Sequence, residues 1–174
     1  MSETSAPAHS PIHLEEPAYQ TCYAYWLRLK GQRWAPAWSE WKWSEIPLDL
    51  VPYFIVIDVT HDPLDFTYRF WGSANTRMHG IEMTGKSVRD IRSPVTARTT
   101  FDQYARVTAN REAIASAYTM QSADYHLAHQ RTALRMPMSN EGETVDRIVS
   151  FVDWRDSQNL ITDEHIQIYG ETSV

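Results

Sequence analysis

From Pro17 onward the apolar positions recur at helical spacing. Cys22, Trp26 and Leu29 form a stripe that Tyr19, Tyr23 and Leu27 widen. Pro17 suits a first helical turn and Gly31 supplies the stop, so the pattern predicts a helix over 17–29. Residues 32–50 hold Trp34, Trp38, Trp41 and Trp43 with no clean period, and Pro36 and Pro47 break the stretch further. It reads as an irregular arm lying over something apolar, because so many exposed indoles would aggregate. From Tyr53 to Val59 the run is nearly continuous and β-branched, and it ends at the turn residues His61, Asp62 and Pro63. Residues 65–73 then alternate Phe66, Tyr68 and Phe70 with Thr67, Arg69 and Trp71, which makes a hairpin. Gly80 and Gly85 punctuate short helical turns over 74–91. Ser93-Pro94 is an N-cap with Pro at the first position, and Ala97, Phe101, Tyr104, Ala105 and Thr108 share one face of the helix behind it. Strand-like runs follow over 114–121, 131–139 and 145–154, the last two joined by a tight turn at Asn140, Glu141 and Gly142.

Strands joined by short loops must be antiparallel, since parallel neighbours need long crossovers. The pattern therefore predicts an α+β domain with a single sheet and a helical segment across one face. The expected divisions are a mobile tail over 1–16, a flanking helix and Trp-rich arm over 17–52, a core over 53–154, and a C-terminal tail over 155–174.

Composition narrows the function classes. The 174 residues suffice for one domain, and 16 Lys+Arg against 22 Asp+Glu give a net charge of −6. That argues against a general nucleic-acid or anionic-membrane binder, which needs basic residues to displace counterions. The single cysteine, Cys22, cannot form an internal disulfide. The N-terminus lacks the apolar core of a secretory signal, and the longest apolar run, 51–57, is far short of a membrane span. A cytoplasmic protein is the expectation. Aromatics make up 12% of residues, with seven Trp and nine Tyr. Five of the seven Trp precede the first strand, which places the aromatic excess on the flanking helix and arm.

Several patterns invite chemistry. Gly80-Ile81-Glu82-Met83-Thr84-Gly85-Lys86-Ser87 satisfies the P-loop expression. Its context argues against nucleotide binding: no buried strand precedes it, Pro94 cuts the helix that should follow, and Glu82 puts a carboxylate in the phosphate nest. His126 and His129 beside Asp124 have a metal-ligand spacing but fall between strands, with no fourth ligand. His79 reads as a surface or capping histidine in preference to a haem ligand, and Cys22 as a buried, inert thiol. Arg69 reads as the partner of a buried acid such as Asp58, with a ligand-carboxylate contact as the alternative.

The order and spacing of residues across 22–154 also resemble a known family. Tyr25-Trp26-Leu27-Arg28 with Gly31 and Arg33, Ile46-Pro47, Leu50-Val51-Pro52 and the 55–59 strand resemble the start of a PAS-like family of alphaproteobacteria. The resemblance continues through the 65–73 segment, Gly80…Met83-Thr84-Gly85-Lys86, and Leu134-Arg135-Met136-Pro137-Met138-Ser139 with Gly142 and Val145-Asp146. The chain departs from the pattern at Trp38, Trp41, Trp43 and Trp71. The resemblance implies a five-stranded antiparallel sheet with helices on one face, a cavity between them, and signalling through ligand or protein contacts in place of catalysis.

The expectation is thus a stand-alone PAS-like sensory domain with no effector segment and an unidentified regulatory protein partner. Phe101, Tyr104, Tyr118, Met120, Met136 and Met138 are its pocket candidates, with Arg69 and Trp71 beside them. Tyr19, Cys22, Tyr23, Trp26 and Leu29 are candidates for a homodimer interface. No catalytic residue, metal or cofactor is expected, and the small-molecule ligand is unknown. The alternative from another class is a small α+β-cone enzyme using Asp58 or Asp153 as base on an apolar substrate.

Overall fold

The computed structural model describes residues 14–121 and 128–155, with side chains for all of these except 118–121 and 128–130. Most of both tails, Asp124, His126 and the side chain of His129 lie outside the described residues. Five strands form one antiparallel sheet: β1 (Phe54–His61), β2 (Leu64–Trp71), β3 (Ile114–Gln121), β4 (Ala128–Met138) and β5 (Arg147–Phe151). Their spatial order is β2-β1-β5-β4-β3. Each strand group is a hairpin or hairpin chain, and the long helical insertion lets β5 slot beside β1. The expected α+β single sheet is the one observed.

The β1–β2 ladder contains one irregularity that shapes the site. Val56 pairs with Phe70 but Ile57 pairs with Tyr68, so Arg69 is an extra residue on β2. Such a bulge shifts the side-chain phase by one. Phe66 and Tyr68 face one side of the sheet, Phe70 crosses to the other, and Trp71 rejoins the side of Tyr68, their rings 5.0 Å apart. Strict alternation, which would put Phe70 with Tyr68, is corrected by this insertion.

Behind the sheet lie α1 (Pro17–Lys30) and the Trp-rich arm. Tyr19, Cys22, Tyr25 and Trp26 pack on Leu134, Met136, Met138, Val149 and Phe151. The polar ends of these aromatics find backbone partners: Tyr19 Oη donates to Thr132 O at 2.6 Å and Trp26 Nε1 to Pro137 O at 2.8 Å. Pro137 lies where β4 overhangs the end of β3, a place where a missing N–H costs nothing. The arm folds as 3-10 turns at Trp38–Glu40 and Trp43–Glu45 and lays a chain of edge-on aromatic contacts, Tyr25–Trp41–Phe54, over the same face. Trp34 Nε1 donates to Gly142 O and Ser139 N–H to Pro36 O, which tie the arm to the β4–β5 turn.

The sheet therefore carries the helices of the insertion on one face, as expected, and the flanking helix as a layer on the other. Tyr19, Cys22 and Trp26, named for a dimer interface, are buried against the chain's own sheet, Tyr23 and Leu29 are partly buried, and Leu27, 39% exposed, projects outward. The aromatic excess of the flank is spent within the domain.

On the front face sit α2 (Ser73–His79), a 3-10 turn at Val88–Asp90, and α3 (Pro94–Asn110). Ser93 caps α3 by accepting from the Thr96 N–H, with Pro94 in the first turn, as the sequence predicts. Gly72 links β2 to α2 where only glycine fits: a Cβ there would lie 2.2 Å from Pro52 O and 2.8 Å from Phe54 O.

Candidate functional site

Between the front face, α2 and the N-terminal half of α3 lies a cavity of about 410 Å³. That is the size range of small-ligand pockets. Its apolar wall includes Ile55, Trp71, Ile81, Met83, Ile91 and Val152. The bulge at Arg69 is what brings Trp71 into this wall. Helix α3 turns Thr96, Thr100, Gln103 and Tyr104 toward the space, so its cavity side is half polar.

The polar groups of the cavity converge on Arg135 of β4. Its side chain is buried, at 7% exposure, yet its partners are neutral. Nε and one Nη donate to Gln103 Oε1 at 3.0 and 2.5 Å, the other Nη donates to Ser150 Oγ at 3.1 Å, and the guanidinium lies 4.4 Å from the Tyr104 ring centroid. Tyr68 stands beside this cluster. Burial pushes its hydroxyl well above the usual phenol range, with Tyr104 adding to the rise and Arg135 opposing it.

At the far end, α2 supplies Asn75 and His79. Asn75 is fully buried; its Nδ2 donates to Phe54 O at 3.3 Å and its Oδ1 accepts from Trp154 Nε1 at 2.9 Å. His79 sits between Trp71 and Trp154, with ring centroids at 5.6 and 5.5 Å. Removal from water pushes its imidazole down to about 4, so it is neutral near pH 7. The expectation of a surface or capping histidine is refined: in the last turn of α2 the ring is half-buried in the cavity wall.

Trp154 and Val152 close the cavity from the segment after β5. Between and beside them, the Asp153 N–H donates to Tyr19 Oη at 2.9 Å. The Tyr19 hydroxyl thus bridges the cavity-closing segment, β4 and α1. Burial raises its pKa above the ordinary phenol value, despite the opposing hydrogen bond from Asp153. Cys22, one turn along, is a buried thiol pushed up to about 12 by desolvation, so it is a poor nucleophile at neutral pH.

Of the pocket candidates, Tyr104 and Trp71 line the cavity. Phe101 does not: it packs edge-on to Phe66 at 5.0 Å beneath the Arg89 guanidinium. Met136 and Met138 are on the opposite face, under α1, because β4 alternates and Arg135 takes the cavity side. Tyr118 and Met120 occupy β3 positions paired with Arg131 and His129, and their side chains lie outside those described. Arg69 points out of the sheet edge, where its Nε donates to Asp58 at 2.7 Å, matching the ion-pair reading.

Arg135, Gln103, Tyr68, Asn75 and His79 escape the sequence reading. The one available signal was a charged residue between Leu134 and Met136 in an apolar strand. Asp58 is held by Arg69 and Arg147 at the sheet edge and Asp153 by Arg155, so neither lines the cavity. The P-loop pattern is a pair of turns. Gly80 caps α2 in a left-handed conformation and the Gly85 N–H donates to Tyr68 O at 2.7 Å. The Thr84 hydroxyl and N–H donate to Glu82 at 2.6 and 2.8 Å and hold its carboxyl below the usual range. Among the described residues, no group of three His, Cys, Asp or Glu is placed to hold a metal, and no helix is long and apolar enough to cross a membrane.

A family model described as PAS domain matches residues 14–152. Solved chains that match include a cysteine-to-valine variant of the fungal photoreceptor VVD, at 12% identity and TM-score 0.44, covering 82% of this chain and 99% of that one. A second is an RNA-binding light-oxygen-voltage receptor, at 12% identity and TM-score 0.43, covering 94% of this chain and 40% of that one. The chain spans about two fifths of the length of that receptor. No curated protein matches.

Proposed function

The chain belongs to the PAS domain family, and on that premise we propose that it is a cytoplasmic sensory domain in which a small molecule in the cavity regulates contacts with a partner protein. The observation that carries this reading is the junction between cavity and flank. The cavity is closed by Val152 and Trp154, and the residue between them is bonded to Tyr19 of α1. A ligand that repositions Trp154 also displaces the adjacent Asp153 N–H, and with it the bond to Tyr19. The state of the cavity is thereby available to the α1 layer on the far side of the sheet.

Partner contacts in this reading use the outer side of α1, around Leu27. A second copy of the chain would meet α1 on the same outer side, since Tyr19, Cys22 and Trp26 are committed within the chain. The enzyme alternative does not find Asp58 or Asp153 in the cavity, and although Gly80, Ile81 and Met83 of the P-loop pattern line it, Lys86 and Ser87 do not.

Hydrogen exchange on the full chain tests the reading, with the strongest binder from a fragment set as probe. Binding should change exchange in 17–30 as well as in the cavity walls. A change confined to the walls would refute coupling to the flank.

A further inference from the structure

From the chemistry of the cavity we infer that its ligand is a small amphipathic carboxylate, seated with its anionic group against Arg135 and Gln103. This rests on the cavity's being a ligand site at all, and goes beyond it by naming the chemical class.

A buried guanidinium normally has a carboxylate for company, because an uncompensated charge away from water is costly. Arg135 has none among the described residues: its partners are Gln103, Ser150 and the face of Tyr104. The chain carries 22 Asp+Glu. None of the described ones lines the cavity, whereas a second cation, Arg92, stands at its exposed rim. His79 is neutral near pH 7 and adds no charge. The cavity is therefore net positive inside a net negative protein.

Gln103 adds geometry to charge. Its Oε1 accepts twice from Arg135, which fixes the orientation of the amide. Its Nε2 group, with two N–H donors, has no partner among the described residues. One carboxylate can accept from Arg135 and from Gln103 Nε2 together, in the charge-assisted geometry that suits guanidinium. Toward Ile81, Met83 and Ile91 the wall is apolar, so the body of the ligand is apolar too. A single buried cation matches a monoanion better than a phosphate dianion.

Calorimetric titration of the full chain with octanoate, octanamide and octyl phosphate tests this. Octanoate should bind about 10- to 100-fold more tightly than octanamide, the range expected for hydrogen bonds to a charged group. It should also outrank octyl phosphate. In Arg135→Met the acid and the amide should bind equally, while Arg135→Lys should keep part of the preference. The apo form of Arg135→Met should melt no lower than the parent, because the substitution removes an uncompensated charge; a purely structural arginine would show the opposite. Equal binding of octanoate and octanamide to the parent would overturn the carboxylate inference and leave the cavity reading intact, as would tighter binding of octyl phosphate. Binding of none of the three would count against both.

Discussion

The hydroxyl of Tyr19 accepts from the backbone N–H of Asp153 at 2.9 Å, across 134 residues of sequence. The same hydroxyl donates to Thr132 O at 2.6 Å. One atom of the flanking helix therefore ties together the helix, a central strand and the segment that closes the cavity. Tyr19→Phe removes both bonds while keeping the ring against Phe151, 5.0 Å away. It leaves the Asp153 N–H and the Thr132 carbonyl without that partner. Urea denaturation should show a loss of about 1–3 kcal/mol. In hydrogen exchange, the response of α1 to a cavity ligand should vanish while binding persists.

The approach of Gly72 to Pro52 and Phe54 is too close for any side chain. The obstructing atoms are backbone, so they cannot swing aside as a flexible side chain would. Gly72→Ala should displace α2 and with it Asn75 and His79. Thermal melting should fall by several degrees or more, the response expected when an overpacked site forces backbone shifts of about 1–3 kcal/mol. A melting point within a degree of the parent would contradict the described path of the chain.

His79 gives the domain an acid-side sensitivity. Its folded-state pKa lies near 4 and its ordinary value near 6.5, so between these the unfolded chain binds the extra proton. Stability must then fall as pH drops through that window and is fully retained above it. Between pH 7 and pH 5 the parent should lose about 1–2 kcal/mol more than His79→Gln, measured by urea midpoints. Parallel losses in the two proteins would show that the ring is solvated.

Arg69→Ala should leave ligand binding unchanged and cost at most about 1 kcal/mol. Its pair with Asp58 is at the exposed sheet edge, and exposed pairs contribute little. Asp58 also keeps Arg147 at 2.8 Å. Trp71→Leu should by contrast weaken any cavity ligand, because the Trp71 ring is part of the wall.

Element by element, the periodicity of the sequence is a good guide to this fold. The α1 stripe, the hairpin ending at His61-Asp62-Pro63 and the Ser93 cap are local features whose causes are written in adjacent residues. The site is less legible because its key residues defy the hydrophobic pattern. Helix α3 turns Thr96, Thr100 and Gln103 toward the cavity, whereas amphipathic reasoning assigns inward positions to Ala97 and Phe101. Arg135 lies in an apolar strand where its neighbours Leu134 and Met136 attract the attention, yet they face the opposite layer. The inserted Arg69 changes the phase of β2, and no propensity marks a bulge of that kind. The two-layer cover explains the tryptophans: the flank supplies the second face of a sheet that would otherwise expose Phe54, Val149 and Phe151.

The central claim is that the space beside Trp71, Met83 and Arg135 is a ligand site. Methionine methyl NMR reads it most directly, because Met83 lines the cavity and Met138 is buried on the opposite face. With a fragment set spanning acids, amides and amines, the claim predicts compounds that shift the Met83 methyl saturably and leave Met138 nearly still. A Met83 signal that no compound moves, in a chain that remains folded throughout, would contradict it.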